Sequence, residues 1–434
     1  MKILHTSDWH LGRMLLGRSR YGEFRLFLDW LLEKIVERQI DVLLVAGDVF
    51  DTQTPGPRVQ RLYYEFLHRL SGTGCRHVVV IGGNHDSPQL LDAPGELLRR
   101  INVHVVGGVD IAGDGCANVE RELLLLRGND GAPELIVCAV PFLREREISW
   151  SEAGDSATEK ERRLTGAIRD HYAEIAEKAG KLRAEIEREH GTRLPIVGMG
   201  HLFAVAARER ELFSSVSEND AEKRCSLTGE GVRELYVGSL GAVDASHFPA
   251  DFDYMALGHL HIARRVGSET VRYSGSPLPM GFGEGSQRKY LVESTYADGA
   301  MSVGLIEVPR FSHLVSIAGS REEIREAVEK WKTSPLPVWM DVRLTEPLDS
   351  FGLQKELDAW TAGTPIDILR FFVPRPAVTR MSSVALEIDM LDEHHLFKRR
   401  LDRANIPEND REPYVRRYKE ILFSLAEESR ANNQ

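Results

Sequence analysis

Cysteine is scarce in this chain: there are four in 434 residues, Cys75, Cys116, Cys138 and Cys225, and no CxxC pair. That excludes a disulfide framework and a zinc ribbon and fits a reducing compartment. No apolar run approaches the roughly 20 residues that span a bilayer. The opening MKILHTSDWH has one lysine and turns polar within a few residues, unlike a secretory leader. The expectation is a cytoplasmic protein. Positive charge is also short. The net charge of −11 argues against nonspecific nucleic-acid binding, which rests on phosphate neutralisation by Lys and Arg. Part of that acidity would be cancelled locally if some carboxylates hold metal ions. There is no internal repeat and no low-complexity tract.

What remains is an ordinary globular balance, 42% hydrophobic and 28% charged, in a chain long enough for two or three domains. Short Val-, Leu- and Ile-rich runs recur through the first 300 residues or so, among them DVLLVAGD, HVVVIGG, LPIVGMGH and YMALGHLH. They read as strands buried on both faces. Amphipathic helical patterns at 22–38, 57–70 and 88–100 separate the early ones. This βαβαβ order predicts an α/β domain. Residues 151–191 predict a long surface helix with one buried stripe. From about residue 308 the pattern becomes a compact α+β unit, in which SREE opens a helix as a capping box. PRPAVTR follows as a linker, and two helical stretches at about 391–404 and 411–428 close the chain.

Acids, amides and histidines collect at the far ends of the predicted strands, where ligands bind in α/β folds. TSDWHLG offers Asp8 and His10. VAGDVFD offers Asp48 and Asp51. GGNHDS offers Asn84, His85 and Asp86. GMGHLF offers His201, and LGHLHIA offers His259 and His261. Strand alternation places Asp8 and His10 on one side, and likewise His259 and His261, so that each pair could grip one ion. Taken singly, each fragment reads more simply as a turn. Five in succession do not. The set contains no thiolate, which favours Mn²⁺, Fe²⁺ or Zn²⁺. It is too large for one tetrahedral ion and suits two ions about 3.5–4 Å apart sharing a carboxylate.

In type and order, D-x-H, G-D-x-x-D, G-N-H-D, G-H and G-H-x-H resemble the calcineurin-like metallophosphoesterase superfamily. MKILHTSDWHLGR, LLVAGDVFDTQTP, GGNHDSP, ALGHLH and YSGSPLPMGFGE resemble, more narrowly, its bacterial SbcD exonuclease-subunit family, relatives of the archaeal and eukaryotic double-strand-break repair nuclease. The resemblance implies a β-sandwich flanked by helices over 1–308, a small α+β capping domain over 309–377, and a linker with a helical pair over 378–434. It implies two metal ions, most simply Mn²⁺. Asp8, His10, Asp48 and His261 would hold one. Asp48, Asn84, His201 and His259 would hold the other, with Asp48 bridging. His85 would stay off the metals and act at the phosphate, stabilising the transition state or protonating the leaving oxygen; an unperturbed imidazole pKa of about 6.5 suits such proton transfer. Asp51 stands where archaeal and eukaryotic relatives commonly have a second His and bacterial forms have Asp, and it would touch an ion or order the ligands. Asp86 would orient His85, stiffen its loop or make a local turn.

The implied activity is 3′→5′ exonuclease action on duplex DNA and endonuclease action on single strands or hairpins, in DNA repair and recombination. The implied partner is the coiled-coil SbcC ATPase, docked on the C-terminal helices, where Lys398, Arg399, Arg400, Arg403, Arg411, Arg416, Arg417 and Lys419 are interleaved with apolar residues. A homodimer is implied as well, with Leu62, Tyr63, Phe66 and Leu67 as candidates for its contact or for packing on the chain's own sheet. The competing reading is a phosphomonoesterase or cyclic-nucleotide phosphodiesterase on the same metal core. A further alternative is a non-catalytic scaffold, which the complete set of ligand types disfavours.

Overall fold

A computed structural model describes residues 1–111, 117–148, 156–206, 243–345, 350–373 and 411. The chain divides into two units, Met1–Pro374 and Arg375–Gln434. Apart from Arg411, the two expected C-terminal helices lie outside the described residues, as do Cys116 and Cys225.

The first sheet contains β1 (Lys2–Thr6), β2 (Val42–Ala46), β3 (His77–Ile81) and β4 (Val103–Val106). All four are parallel, in that order. The second sheet holds β5 (Leu123–Arg127), β6 (Pro133–Ala139), β7 (Ile196–His201), β8 (Tyr254–Gly258), β9 (Arg264–Val266) and β10 (Ser268–Tyr273), in spatial order β9-β10-β8-β7-β6-β5. A hairpin, β11 (Lys289–Ala297) with β12 (Ala300–Val308), completes the first sheet by pairing antiparallel with β1.

The two sheets face each other. Ile3, Val42, Leu44, Ala46, Val79 and Ile81 of one meet Val137, Ala139, Val197, Met199 and Ala256 of the other in a shared core. Alternation sends Leu4, Leu43, Val45, Val78 and Val80 to the opposite face. There they meet α1 (Tyr21–Arg38) and α2 (Pro57–Ser71). Phe24, Phe27, Leu28, Leu31, Leu32 and Ile35 recur at helical spacing along α1 and are all buried. Each contributes about 1.5–3 kcal/mol over an exposed position. The outer face of the second sheet is covered by the expected long helix, which begins at Ala157 and ends at His190, with a capping box at Ser156 and Glu159. The result is a helix–sheet–sheet–helix sandwich. Strands covered on both sides explain the continuous apolar runs.

One expectation is corrected here and one open alternative is decided. The helix expected over 88–100 is two short ones, Pro88–Asp92 and Gly95–Arg99. Pro94 between them has no N–H to donate to the preceding turn. Leu62, Tyr63, Phe66 and Leu67 are at most 6% exposed and pack in the chain's own core. They are therefore not available as a contact between copies.

Residues beyond 308 form a parallel sheet of three strands, β13 (His313–Gly319), β14 (Val338–Leu344) and β15 (Ile366–Phe372). The connecting helices, Arg321–Trp331 and Ser350–Thr361, pack on it through Ile324, Val328, Leu353 and Leu357. The capping box predicted at Ser320 and Glu323 is formed. Cys75 and Cys138 are free and buried, and burial pushes the Cys75 thiol up to about 12. Among the described residues no helix is long and apolar enough to cross a membrane.

Candidate metal centre

The carboxyl ends of β1, β2 and β3 meet those of β7 and β8 at one edge of the sandwich. The seven expected ligands and His85 converge there. Asp8, His10, Asp48, His201, His259 and His261 are at most 5% exposed; Asn84 and His85 are half-buried.

Donor atoms of Asp8, His10 and His261 lie within 4.8 Å of one another, as do those of Asp8, Asp48 and His201. Nε2 of His10 is 3.2 Å from Nε2 of His261. Asp48 lies between the two halves: its Oδ2 is 3.5 Å from His10 Nε2 and 3.3 Å from His201 Nε2. On the far side, Asn84 Oδ1 is 3.1 Å from both His201 Nε2 and His259 Nδ1. Neighbouring histidines thus divide between the halves, His261 toward His10 and His259 toward Asn84. Strand alternation predicted instead that this pair would act together. The strands β1 and β8 have already ended at Thr6 and Gly258, so alternation does not reach these side chains. Of the eight described non-glycine residues with positive φ, four are Asp8, His10, Asp48 and His259. Left-handed backbone costs a non-glycine residue about 1–3 kcal/mol and collects at functional sites.

Close approach explains the glycines. A Cβ on Gly83 would lie 2.1 Å from Asp48 Oδ1, and one on Gly258 would lie 1.8 Å from the Ala46 carbonyl oxygen. Neither glycine has a positive φ, so the need is for space and not for an unusual turn.

The donor set fits divalent cations. Ring nitrogens that face each other, or face an amide oxygen, at 3.1–3.2 Å relieve their lone-pair conflict by sharing a proton or a metal ion. Nδ1 of His201 donates to the Ala46 carbonyl at 2.9 Å, which turns Nε2 to the cluster. Burial alone would lower the His201 pKa; the Asp48 and Asp8 carboxylates outweigh it and carry the value up to about 9. The cluster therefore favours positive charge at this point. His259, pressed by burial and by neighbouring His201, is lowered to about 3 and stays a neutral ligand type. At His261 burial again lowers the pKa, but Glu284 outweighs it and the net direction is upward.

The remaining residues of the motifs separate by role. His85 donates its backbone N–H to Asp48 Oδ1 at 2.9 Å, and its Nδ1 lies 3.0 Å from the Asp51 carbonyl oxygen. That carbonyl accepts, so Nε2 is left unprotonated or carries the second proton. The Asp51 carboxylate lies 3.3 Å from His10 Nδ1 and 3.1 Å from Arg13. It backs His10 from behind and so orders a ligand-type side chain. Asp86 does not touch the His85 ring. Its fully buried carboxylate accepts the N–H groups of Val49, Phe50 and Gly83 at 2.9–3.1 Å, binding the GDVFD loop to the GGNHD loop.

Several supporting residues escaped the sequence reading. Ser7 Oγ donates to Asp8 Oδ2 at 2.5 Å, and the His259 N–H donates to the same carboxylate. Arg144 donates to the Asp86 carbonyl at 3.0 Å. Glu284 and Lys289 lie behind His261. Glu284 at least falls in the YSGSPLPMGFGE phrase; nothing local marks Lys289.

The chain has clear relatives among known proteins. Residues 1–169 match the family described as Calcineurin-like phosphoesterase, and residues 310–405 match one described as Type 5 capsule protein repressor C-terminal domain. The chain is 35% identical over 439 residues to the SbcD subunit of the SbcCD nuclease of Escherichia coli K12, covering 99% of this chain and 100% of that protein. It is 36% identical to the SbcD subunit of Rhodobacter capsulatus, over 65% of this chain and 64% of the relative. With the Bacillus subtilis protein it shares 32% identity, over 67% of this chain and 64% of the relative. The chain belongs to the family of SbcD nuclease subunits and carries a calcineurin-like phosphoesterase domain at its N-terminal end.

Proposed function

We propose that the chain is a DNA nuclease subunit that hydrolyses phosphodiester bonds with two Mn²⁺ ions. Asp8, His10, Asp48, Asn84, His201, His259 and His261 would hold them. The reading is carried by the convergence of two carboxylates, an amide and four imidazoles from five strand ends in one cluster. Divalent ions bound there would polarise the phosphoryl group and activate water for in-line attack. The chain's own residues do the positioning. Asp48 spans the two halves, and the Ala46 carbonyl keeps His201 turned inward. His85, with Nδ1 committed to the Asp51 carbonyl, presents Nε2 to the leaving 3′ oxygen and protonates it.

The relatives are named as nuclease subunits, which supports a nucleic acid as substrate, and we take it to be DNA. We assign 3′→5′ exonuclease action on duplex ends and endonuclease action on hairpins and single strands, in DNA repair in the cytoplasm. The deciding experiment gives the purified chain Mn²⁺ with labelled hairpin DNA or a phosphomonoester, comparing wild type with His85→Ala. Wild type should cleave DNA. His85→Ala should lose about 10²–10⁴-fold in rate while still binding Mn²⁺. Monoester turnover without DNA cleavage, even with the partner ATPase added, would replace this reading with a small-molecule esterase.

We further propose the division into 1–308 as catalytic domain, 309–377 as a DNA-contacting cap, and 378–434 as the segment that docks on a coiled-coil SbcC-type ATPase, in an assembly containing two copies of this chain. The separate three-stranded sheet supports the cap boundary. A chain lacking residues 385–434 should keep Mn²⁺-dependent hydrolysis and lose co-purification with the ATPase; undiminished co-purification would refute the docking assignment.

A further inference from the structure

The two ring nitrogens of His261 face different surroundings. Nε2 looks into the cluster, 3.2 Å from His10 Nε2. Nδ1 looks outward, 3.7 Å from Oε1 of Glu284. Glu284 is fully buried and ends the short turn Phe282–Glu284 that precedes β11. Its Oε2 accepts from the Met280 N–H at 2.9 Å and from Lys289 Nζ at 2.6 Å. Lys289, the first residue of β11, is itself 5% exposed. It also donates to the His261 carbonyl at 2.9 Å and to Ser276 Oγ at 3.1 Å. One ammonium therefore grips both the backbone of His261 and the carboxylate facing its ring.

A buried ion pair is a poor stability device, because desolvation offsets most of its attraction. Its placement behind one imidazole suggests a different use. An imidazole binds a cation only through a nitrogen without a proton, and the partner of the other nitrogen decides where the proton sits.

We propose that Glu284, held by Lys289, is a positioning residue: from behind the ring it keeps Nε2 of His261 turned toward Asp8 and His10, setting the affinity of that half of the cluster for its ion. The inference rests on the reading of His261 as a metal ligand given above.

Calorimetric titration of Mn²⁺ into the metal-free full-length chain tests it, using wild type, Glu284→Gln and Glu284→Gln/Lys289→Met. Wild type should show two binding events. Glu284→Gln should weaken one by about 10–100-fold and leave the other unchanged. The double variant, which removes the stranded ammonium, should recover thermal stability without recovering affinity. Recovery of both would make the pair merely structural and overturn the proposal, as would unchanged affinity in either variant. Two intact binding events in every variant would refute the role of Glu284 alone, whereas no binding by wild type would remove the metal reading and this inference together.

Discussion

Asp86 shows how a single residue can be ambiguous in sequence and definite in space. Its neighbour His85 invites a proton-relay role, yet its partners are the N–H groups of Val49 and Phe50, far upstream, together with Gly83. Each buried N–H left without an acceptor costs about 1–3 kcal/mol. Asp86→Ala should therefore lower stability by about 3 kcal/mol or more, seen as a depressed thermal midpoint. Asp86→Asn, which keeps one carbonyl oxygen, should lose less. Equal midpoints for Asp86→Ala and wild type would show that the loops do not depend on this clamp. Asp51 was similarly open. Its carboxylate faces His10 and its carbonyl faces His85, so one residue supports both a ligand-type side chain and the proposed acid. Side-chain and main-chain roles of one residue cannot be separated by motif order.

Elements set how closely the loops approach. The strands β2 and β8 belong to different sheets, and they come together where Gly258 meets the Ala46 carbonyl. Gly258→Ala should force them apart. An overpacked core costs typically about 1–3 kcal/mol, and here the displaced neighbour also includes His201, with Nδ1 2.9 Å from the added carbon. We expect a lower thermal midpoint and weaker Mn²⁺ binding together. Gly180, within the long helix, has nothing within 4 Å of an added Cβ. Gly180→Ala should gain up to about 1 kcal/mol from helix propensity. If both substitutions were neutral in unfolding experiments, the close approach would be unimportant. Periodicity predicted α1 and α2 nearly to the residue because each buries one continuous stripe. It failed over 88–100, where Asp92 turns to accept the Gly107 N–H at 2.8 Å and Pro94 starts a new helix.

At the scale of the whole molecule, Arg20 joins parts distant in sequence. It is 1% exposed. Its Nε donates to Glu23 at 2.7 Å, its Nη1 donates to the Pro279 carbonyl at 2.5 Å, and its guanidinium lies 6.0 Å from the Trp339 ring. Ser312, at the entry to the three-stranded sheet, donates to the same Glu23. Nearby, Leu15 packs with Leu314 and Trp339. The loop that follows the DWH motif is thus tied to the three-stranded sheet by a buried ion pair and a small apolar cluster. Arg20→Met should cost about 3–5 kcal/mol, because Glu23 is left buried and uncompensated. Arg20→Met/Glu23→Leu should recover most of that loss in thermal unfolding. A double variant no better than the single would mean that the packing of the Arg20 stem, and not the stranded charge, sets the cost.

By itself the sequence determined most of the strand and helix order, the α+β texture beyond residue 308 and the identity of the eight clustered side chains, while the sandwich arrangement came from the family resemblance. Those features are local: burial on both faces makes apolar runs, one buried stripe makes a helical period, and ligand types at strand ends announce themselves in order. Strand alternation put His259 and His261 together and the family resemblance put them apart; the tertiary structure sets them on different halves, and it alone decided what stands behind the cluster, namely Glu284, Lys289, Ser7 and Arg144. These contacts join residues on different strands through loops with left-handed backbone, where neither alternation nor helical spacing carries information about direction. Which ring nitrogen turns inward depends on a carbonyl or a carboxylate supplied from elsewhere in the chain, and only folding brings that partner into reach.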